Sequence, residues 1–95
     1  MSDWHLYLLR CGDGSLYTGI STDVSRRLRE HQSGSRRAAQ YLRGRAPLEL
    51  VFCQWVGTRS AASRVENLVK RLDKSRKEQL AIGSLGLAEV VGDGV

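Results

Sequence analysis

Five side chains in this sequence carry chemistry at spacings that neighbouring elements can bring together: Tyr7, Tyr17, Arg27, His31 and Glu66. The two tyrosines are ten residues apart, Arg27 follows the second by another ten, and His31 comes four later. Residues four apart share one face of a helix, so Arg27 and His31 would point the same way. Together the five supply a potential base, a cation for a phosphate and a carboxylate for a metal. That is the inventory for hydrolysing a phosphodiester.

The elements that must position them begin with residues 4–21, two apolar, β-prone runs around Gly12-Asp13-Gly14. The glycines allow positive φ and the short loop fixes the register, so the stretch reads as a β-hairpin. A three-residue loop sets Cys11 opposite Ser15, Leu9 opposite Tyr17 and Tyr7 opposite Gly19. Side chains alternate faces, which puts Tyr7 and Tyr17 on one face as diagonal neighbours, with open space at Gly19. Leu6, Leu8, Leu16 and Ile20 point one way; Tyr7, Leu9, Cys11 and Tyr17 point the other. A sheet apolar on both faces needs cover on both.

Thr22 or Asp23 caps a helix reaching Gln32, and Gly34 ends it. Its core-facing positions are Val24, Arg27, Leu28 and His31, two of them polar where a helix built only to pack would carry leucine or alanine. Ser25, Arg26, Arg29 and Glu30 fall on solvated faces. Pro47 opens a third strand, Leu48 to Val56, too apolar for an exposed edge. Thr58 or Ser60 caps a helix over Ala61 to Leu72 whose apolar face is Ala61, Val65, Leu68, Val69 and Leu72, with Glu66 on its flank. Asp73 or Ser75 opens another helix to about Ile82. Leu85 to Val91 is a short apolar piece, strand or helix, and Gly92 to Val95 a loose end.

Residues 33–47 form a long, glycine-broken basic connection, with a helical turn over Ala38 to Leu42. Loops this long in compact domains are usually functional or mobile. Arg36, Arg37, Arg43 and Arg45 have no acidic neighbour within the segment, which suits contact with phosphates. Tyr41 between them has two readings: stacking on an unpaired base, or packing the loop down. Lys70, Arg71, Lys74, Arg76 and Lys77 form a second basic cluster.

Composition agrees with a nucleic-acid partner. The 95 residues carry a formal net charge of +5, and arginine greatly outnumbers lysine. Guanidinium forks match phosphate geometry. A chain of this size makes one domain, 1–95, with a modest core that leaves roughly a third of its unfolded-state surface exposed. Cys11 and Cys53 have no metal-ligand spacing and read as small buried hydrophobes in a reducing cytoplasm. No basic leader and no apolar run of about 18 residues is present, which excludes a membrane span.

The ordered set resembles the GIY-YIG nuclease superfamily, and in particular its small bacterial single-domain, excision-repair-nuclease-like members. His5-Leu6-Tyr7 stands for the first triplet and Tyr17-Thr18-Gly19 for the second; Arg27, His31 and the Glu66 of Arg64-Val65-Glu66-Asn67-Leu68-Val69-Lys70 follow in order. The resemblance covers about residues 3–82, leaving 83–95 as a C-terminal extension. It implies an α+β fold, a small three-stranded antiparallel sheet flanked by helices in the order β-β-α-β-α-α. It implies a metal-dependent DNA endonuclease of DNA repair or processing, structure-selective or weakly selective, with Mg²⁺ (or Mn²⁺) held by Glu66. A tyrosine helps activate the nucleophile, and either Tyr7 or Tyr17 fits that role. Arg27 stabilises charge on the phosphate. His5, Leu6 and Thr18 depart from the family triplets without removing a functional side chain. With no second domain to read sequence, specificity would come from a homodimer or a protein partner. The alternative is a non-catalytic nucleic-acid-binding module that keeps the fold. The complete set of five favours catalysis.

Overall fold

A computed structural model describes residues 3–34 and 36–93. It contains β1 (Trp4–Arg10), β2 (Leu16–Ser21), α1 (Val24–Gln32), a 3-10 turn (Gln40–Leu42), β3 (Glu49–Gly57), α2 (Arg59–Lys70), α3 (Lys74–Ile82) and α4 (Leu87–Asp93). The three strands form one antiparallel sheet in the order β2-β1-β3. The α+β class and the expected order of elements hold, with α4 added at the end.

The hairpin takes the expected register, with Leu9 opposite Tyr17 and Tyr7 opposite Gly19. Its loop closes by Cys11 N–H donating to the Ser15 carbonyl at 2.9 Å and Gly14 N–H to the Cys11 carbonyl at 2.9 Å. Gly14 takes φ +85°, a conformation that costs a side-chain-bearing residue energy. The Asp13 carboxylate accepts from Ser15 N–H and Oγ at 3.0 and 2.6 Å, which braces the tip.

Each sheet face has its own cover. On one, Leu6 and Leu8 are fully buried against Val65, Val69, Leu80, Leu85, Leu87 and Val90 from α2, α3 and the α4 segment. Truncating such a side chain to alanine costs ~2–5 kcal/mol. Leu85, Leu87 and Val90 thus complete the main core from beyond residue 83. On the other face, Tyr7, Leu9 and Cys11 pack with Leu42 and Leu48 of the loop, and with Val24 and Leu28 of α1. The helices start where side chains satisfy the free N–H groups of the first turn. Asp23 accepts from Arg26 N–H at 3.0 Å, Thr58 from Ala61 N–H at 3.1 Å and Asp73 from Arg76 N–H at 2.8 Å.

Several expectations are corrected. β3 pairs with β1 but remains an edge strand, with Leu50, Cys53, Gln54 and Trp55 exposed. Its half-buried Val51, Phe52 and Val56 serve the main core. The other face is exposed because α1 and the loop cover β1 and β2 and stop short of it. Cys53, expected inside, is therefore exposed, while Cys11 is buried as read. On α2 the fully buried alanine is Ala62, with Ala61 only half-buried, because Ala62 stands at i, i+3 and i+7 with Val65 and Val69 in the middle of the buried stripe while Ala61 lies at its edge. Leu85 to Val91 resolves as helix, and α4 extends through Gly92 and Asp93 rather than leaving them loose. Gly94 and Val95 lie outside the described residues, as does Ser35 of the basic connection. Among the described residues, no helix is long and apolar enough to cross a membrane.

Candidate active site

β1 places Tyr7 under α1, and β2 places Tyr17 beside it, so that the two phenols and the His31 imidazole form a cluster of three rings. Ring centroids lie 6.3 Å apart for Tyr7 and Tyr17, 6.3 Å for Tyr7 and His31, and 5.6 Å for Tyr17 and His31, the last edge-on. Tyr7 is 1% exposed and His31 4%. Tyr7 Oη and His31 Nε2 are 3.0 Å apart. The other imidazole nitrogen, Nδ1, accepts a hydrogen bond from the backbone N–H of Ala39 at 3.1 Å. Gly19 makes room for this arrangement. An added Cβ there would stand 2.4 Å from both Cζ and Oη of Tyr7.

Arg27 sits one turn before His31 and is half-buried. Its Nη1 donates to Glu30 Oε1 at 3.1 Å and to the backbone carbonyl of Arg37. Glu30 is correspondingly half-buried rather than solvated, and it also pairs with Arg37 at 3.7 Å. Sequence reading missed this carboxylate. Its signal was its place three residues after Arg27, within reach on the same side of the helix.

The electrostatics follow from burial. Desolvation disfavours the phenolate and pushes the Tyr7 ionisation well above the usual tyrosine range; Tyr17 adds to the rise and Arg27 opposes it. Tyr17 is raised for the same first reason, again with Arg27 opposing. Burial and then the Arg27 charge lower the His31 ionisation, so that ring stays neutral at pH 7. One guanidinium therefore acts on all three rings, and the Glu66 carboxylate is felt by both tyrosines. Glu66, on α2, is half-buried and pairs with Lys70 at 3.3 Å. The structure thus gathers the five residues from β1, β2, α1 and α2.

Beside Tyr17 opens a groove along the β2 edge. One part, about 290 Å³, is lined by Leu16, Tyr17, Thr18, Tyr41, Lys70 and Lys77. The next, about 180 Å³, is lined by Ser15, Leu16, Tyr41, Lys74 and Lys77. All three lysines of the chain, Lys70, Lys74 and Lys77, therefore face this groove. The Thr18 hydroxyl is buried without a hydrogen-bond partner among the described residues.

The loop arginines do not form one open patch. The segment lacks acidic residues, but the fold supplies them. Arg45 pairs with Asp13 of the hairpin tip, donates to the Tyr41 carbonyl at 2.7 Å and lies 4.2 Å from the Tyr41 ring centroid. Arg37 pairs with Glu30. Arg36 and Arg43 are exposed and make no ion pair among the described residues. Tyr41 stacks on Tyr17 at 5.9 Å between centroids and 27° between planes, which holds the loop against the site.

Comparison with known proteins identifies the family. The GIY-YIG catalytic domain model matches residues 3–79. A UPF0213 protein of Cronobacter sakazakii is 52% identical over 85 residues, spanning 90% of this chain and 87% of that protein. The UPF0213 protein YhbQ of Escherichia coli is 50% identical over 91 residues, 96% of this chain and 89% of its own. The solution structure of the UPF0213 protein BH0048 from Bacillus halodurans superposes with a TM-score of 0.55 at 42% identity, covering 94% of this chain and 93% of that one. That of EF2693 from E. faecalis gives 0.58 at 37%, covering 83% and 82%. β1, β2, α1 and α2 all lie within the matched residues, and the chain belongs to the GIY-YIG nuclease family as a small bacterial member among the UPF0213 proteins.

Proposed function

We propose that this protein is a metal-dependent endonuclease that hydrolyses phosphodiester bonds in DNA, structure-selective or weakly selective, in DNA repair or processing. The observation that carries the reading is the convergence of Tyr7, Tyr17, Arg27, His31 and Glu66 beside a groove lined by every lysine of the chain.

Among the described residues, no three His, Cys, Asp or Glu side chains gather around one point. Glu66 would therefore be the protein's carboxylate for a cation. That donor set fits Mg²⁺ or Mn²⁺, which bind through one or two carboxylates and take substrate phosphate oxygens and water for the rest. Such an ion supplies positive charge to the phosphate and to the attacking oxygen. Arg27 offers a second, fixed charge for the phosphoryl oxygens, and Glu30 with the Arg37 carbonyl holds its fork in place. Tyr17, at the groove wall, and Tyr7, behind it, are the groups in reach to orient the attacking water. Lys70, Lys74 and Lys77 hold the DNA backbone along the β2 edge, with Arg36 and Arg43 adding contacts from the loop. Arg37, Arg45 and Tyr41 keep that loop on the site.

The test is Glu66→Gln on supercoiled, single-stranded and branched DNA with magnesium, manganese or chelator. The parent protein should cleave with either metal and stop with chelator. The variant should fold and bind DNA but fail to cleave. Cleavage by Glu66→Gln at the parent rate would overturn the assignment. A parent protein that binds every substrate and cuts none would leave the binding-module alternative in its place.

A further inference from the structure

We infer that the backbone amide of Ala39 fixes the tautomer of His31, and that His31 is thereby a hydrogen-bond donor that positions Tyr7 rather than the base that takes its proton. The inference rests on the reading above only in giving Tyr7 a part in the reaction.

An amide N–H can only donate, so the 3.1 Å contact from Ala39 requires a bare lone pair on His31 Nδ1. A neutral imidazole carries one ring proton, which must then sit on Nε2. Nε2 is the atom 3.0 Å from Tyr7 Oη. The imidazole donates and the phenol oxygen accepts, so the Tyr7 proton is turned away from His31. For His31 to remove that proton, Nε2 would have to be bare and Nδ1 protonated, setting two N–H groups against each other at Ala39. The imidazolium ion meets the same clash, and both burial and the nearby Arg27 charge disfavour it.

The consequence lies in the chemistry of Tyr7. A hydrogen bond to an ionised acceptor is roughly twice as strong as one to a neutral acceptor. The Nε2–H bond therefore strengthens as negative charge grows on the phenol oxygen, and it is already aimed before charge appears. Burial opposes that charge, so a preset donor matters more here than at a solvated tyrosine. Ala39 lies in the loop between α1 and β3, so the docking of this loop sets the protonation pattern of a ring in the site. Tyr41 stacked on Tyr17 and Arg45 bound to Asp13 hold the loop in that place.

The experiment is two-bond ¹H–¹⁵N correlation spectroscopy of the whole protein, labelled at histidine and free of DNA. The chain's other histidine is an internal contrast. His5 Nδ1 lies 3.0 Å from the Asp3 carbonyl, which can only accept, so His5 should carry its proton on Nδ1. Near pH 8 the two rings should show opposite patterns, with His31 in the Nε2–H form alone. Proline cannot serve here, since its ring carbon would take the place of the amide hydrogen and press on Nδ1; replacing Ala39 by its α-hydroxy acid turns the N–H into an ester oxygen and deletes the donor with no added bulk. Ala39→Gly keeps it. The ester variant should populate the Nδ1–H form of His31 and lose about tenfold in single-turnover cleavage with DNA affinity retained, roughly what one hydrogen bond is worth. The glycine variant should keep both. An Nδ1–H resonance for His31 in the parent protein would overturn the inference, whatever the variants do. The tautomer is read without any cleavage, so an inactive protein with the expected pattern would refute the nuclease reading and leave the tautomer assignment standing.

Discussion

Gly19→Ala tests whether the site is built around the position of one phenol. Gly19 lies directly opposite Tyr7 in the β1–β2 ladder. Its backbone is one that alanine can adopt, since its φ is not among the positive values. The conflict is one of space. The new Cβ would stand 2.4 Å from Tyr7 Cζ and Oη and 2.9 Å from Cε2, where ordinary contact begins at 3.4 Å. The ring must therefore move by about 1 Å, or the strands must part. Tyr7 has no room to retreat, being 1% exposed and held at its hydroxyl by His31. Overpacking of this kind costs ~1–3 kcal/mol of stability. A 1 Å error in a reacting group can cost about 10²-fold in rate. Urea denaturation reads the first quantity, and single-turnover cleavage at saturating DNA reads the second. DNA affinity should hardly change, because Gly19 faces Tyr7 and not the groove. The penalty should shrink in a Tyr7→Phe background, where one of the two closest atoms is gone, and a double-mutant cycle measures that coupling. Parent-like stability and rate in Gly19→Ala would refute the packing argument. Lost stability with an unaltered rate per folded molecule would separate the place of Tyr7 from the chemistry.

Three further outcomes are expected. Arg10 binds Glu78 of α3 through two hydrogen bonds of 2.5 and 2.6 Å, with both side chains 30% exposed, so Glu78→Ala should cost only ~0.5–1 kcal/mol; an unmoved urea midpoint would show that α3 does not depend on this pair. Acid should destabilise the fold in two stages. His31 ionises below its ordinary pKa when folded, so the unfolded chain binds the extra proton, and stability present above pH ~6.5 is lost as pH falls through that value towards the folded pKa. The carboxylates of Glu30, Glu78 and Asp13 are also depressed, Asp13 to about 2, and their share is lost at lower pH. A His31→Gln variant that keeps the first stage would show that another group causes it. Replacing Lys70, Lys74 and Lys77 together with alanine should reduce the slope of log affinity on log salt by up to ~0.9 for each duplex phosphate that is no longer neutralised, with the smallest share from Lys70, which is already paired with Glu66. Arg45→Ala should change it much less, since Arg45 is already neutralised by Asp13. Equal slopes in the triple variant and the parent, measured by anisotropy titration, would move the DNA off the β2 edge.

The hairpin was legible because its determinants are local. Gly12-Asp13-Gly14 fixes the turn, and a period of two then assigns Tyr7, Leu9, Cys11 and Tyr17 to one face without any tertiary knowledge. The buried face of α1 was legible by the same kind of rule. Strand order was not. Leu48 to Val56 is apolar enough to suggest an interior place. Only the order β2-β1-β3 shows that Val51, Phe52 and Val56 satisfy the core while Cys53 and Trp55 are left exposed. The arginine loop misled for a related reason. Its lack of nearby acids is a fact about sequence, whereas Arg45 meets Asp13 from 32 residues away and Arg37 meets Glu30 from the preceding helix.

His31 marks the boundary between the two kinds of information. That a polar ring occupies a core-facing helix position can be read from spacing alone, and so can its nearness to a hairpin tyrosine once the helix folds back. Which nitrogen bears the proton cannot be read there. That choice is made by the amide of Ala39, in a loop segment with no periodic pattern, and any residue but proline would supply the same donor. A side chain at position 39 leaves no trace of the role, so no motif would encode it. The docking of the loop encodes it instead, through the packing of Leu42 against Tyr7 and Leu9, the stacking of Tyr41 on Tyr17 and the pairing of Arg45 with Asp13. Substitutions that release the loop, Leu42→Ala above all, should therefore alter the His31 tautomer and the cleavage rate together while leaving Tyr7, Tyr17, Arg27, His31 and Glu66 unchanged in sequence. A rate that falls in Leu42→Ala while the Nε2–H pattern of His31 persists would locate the effect elsewhere in the loop.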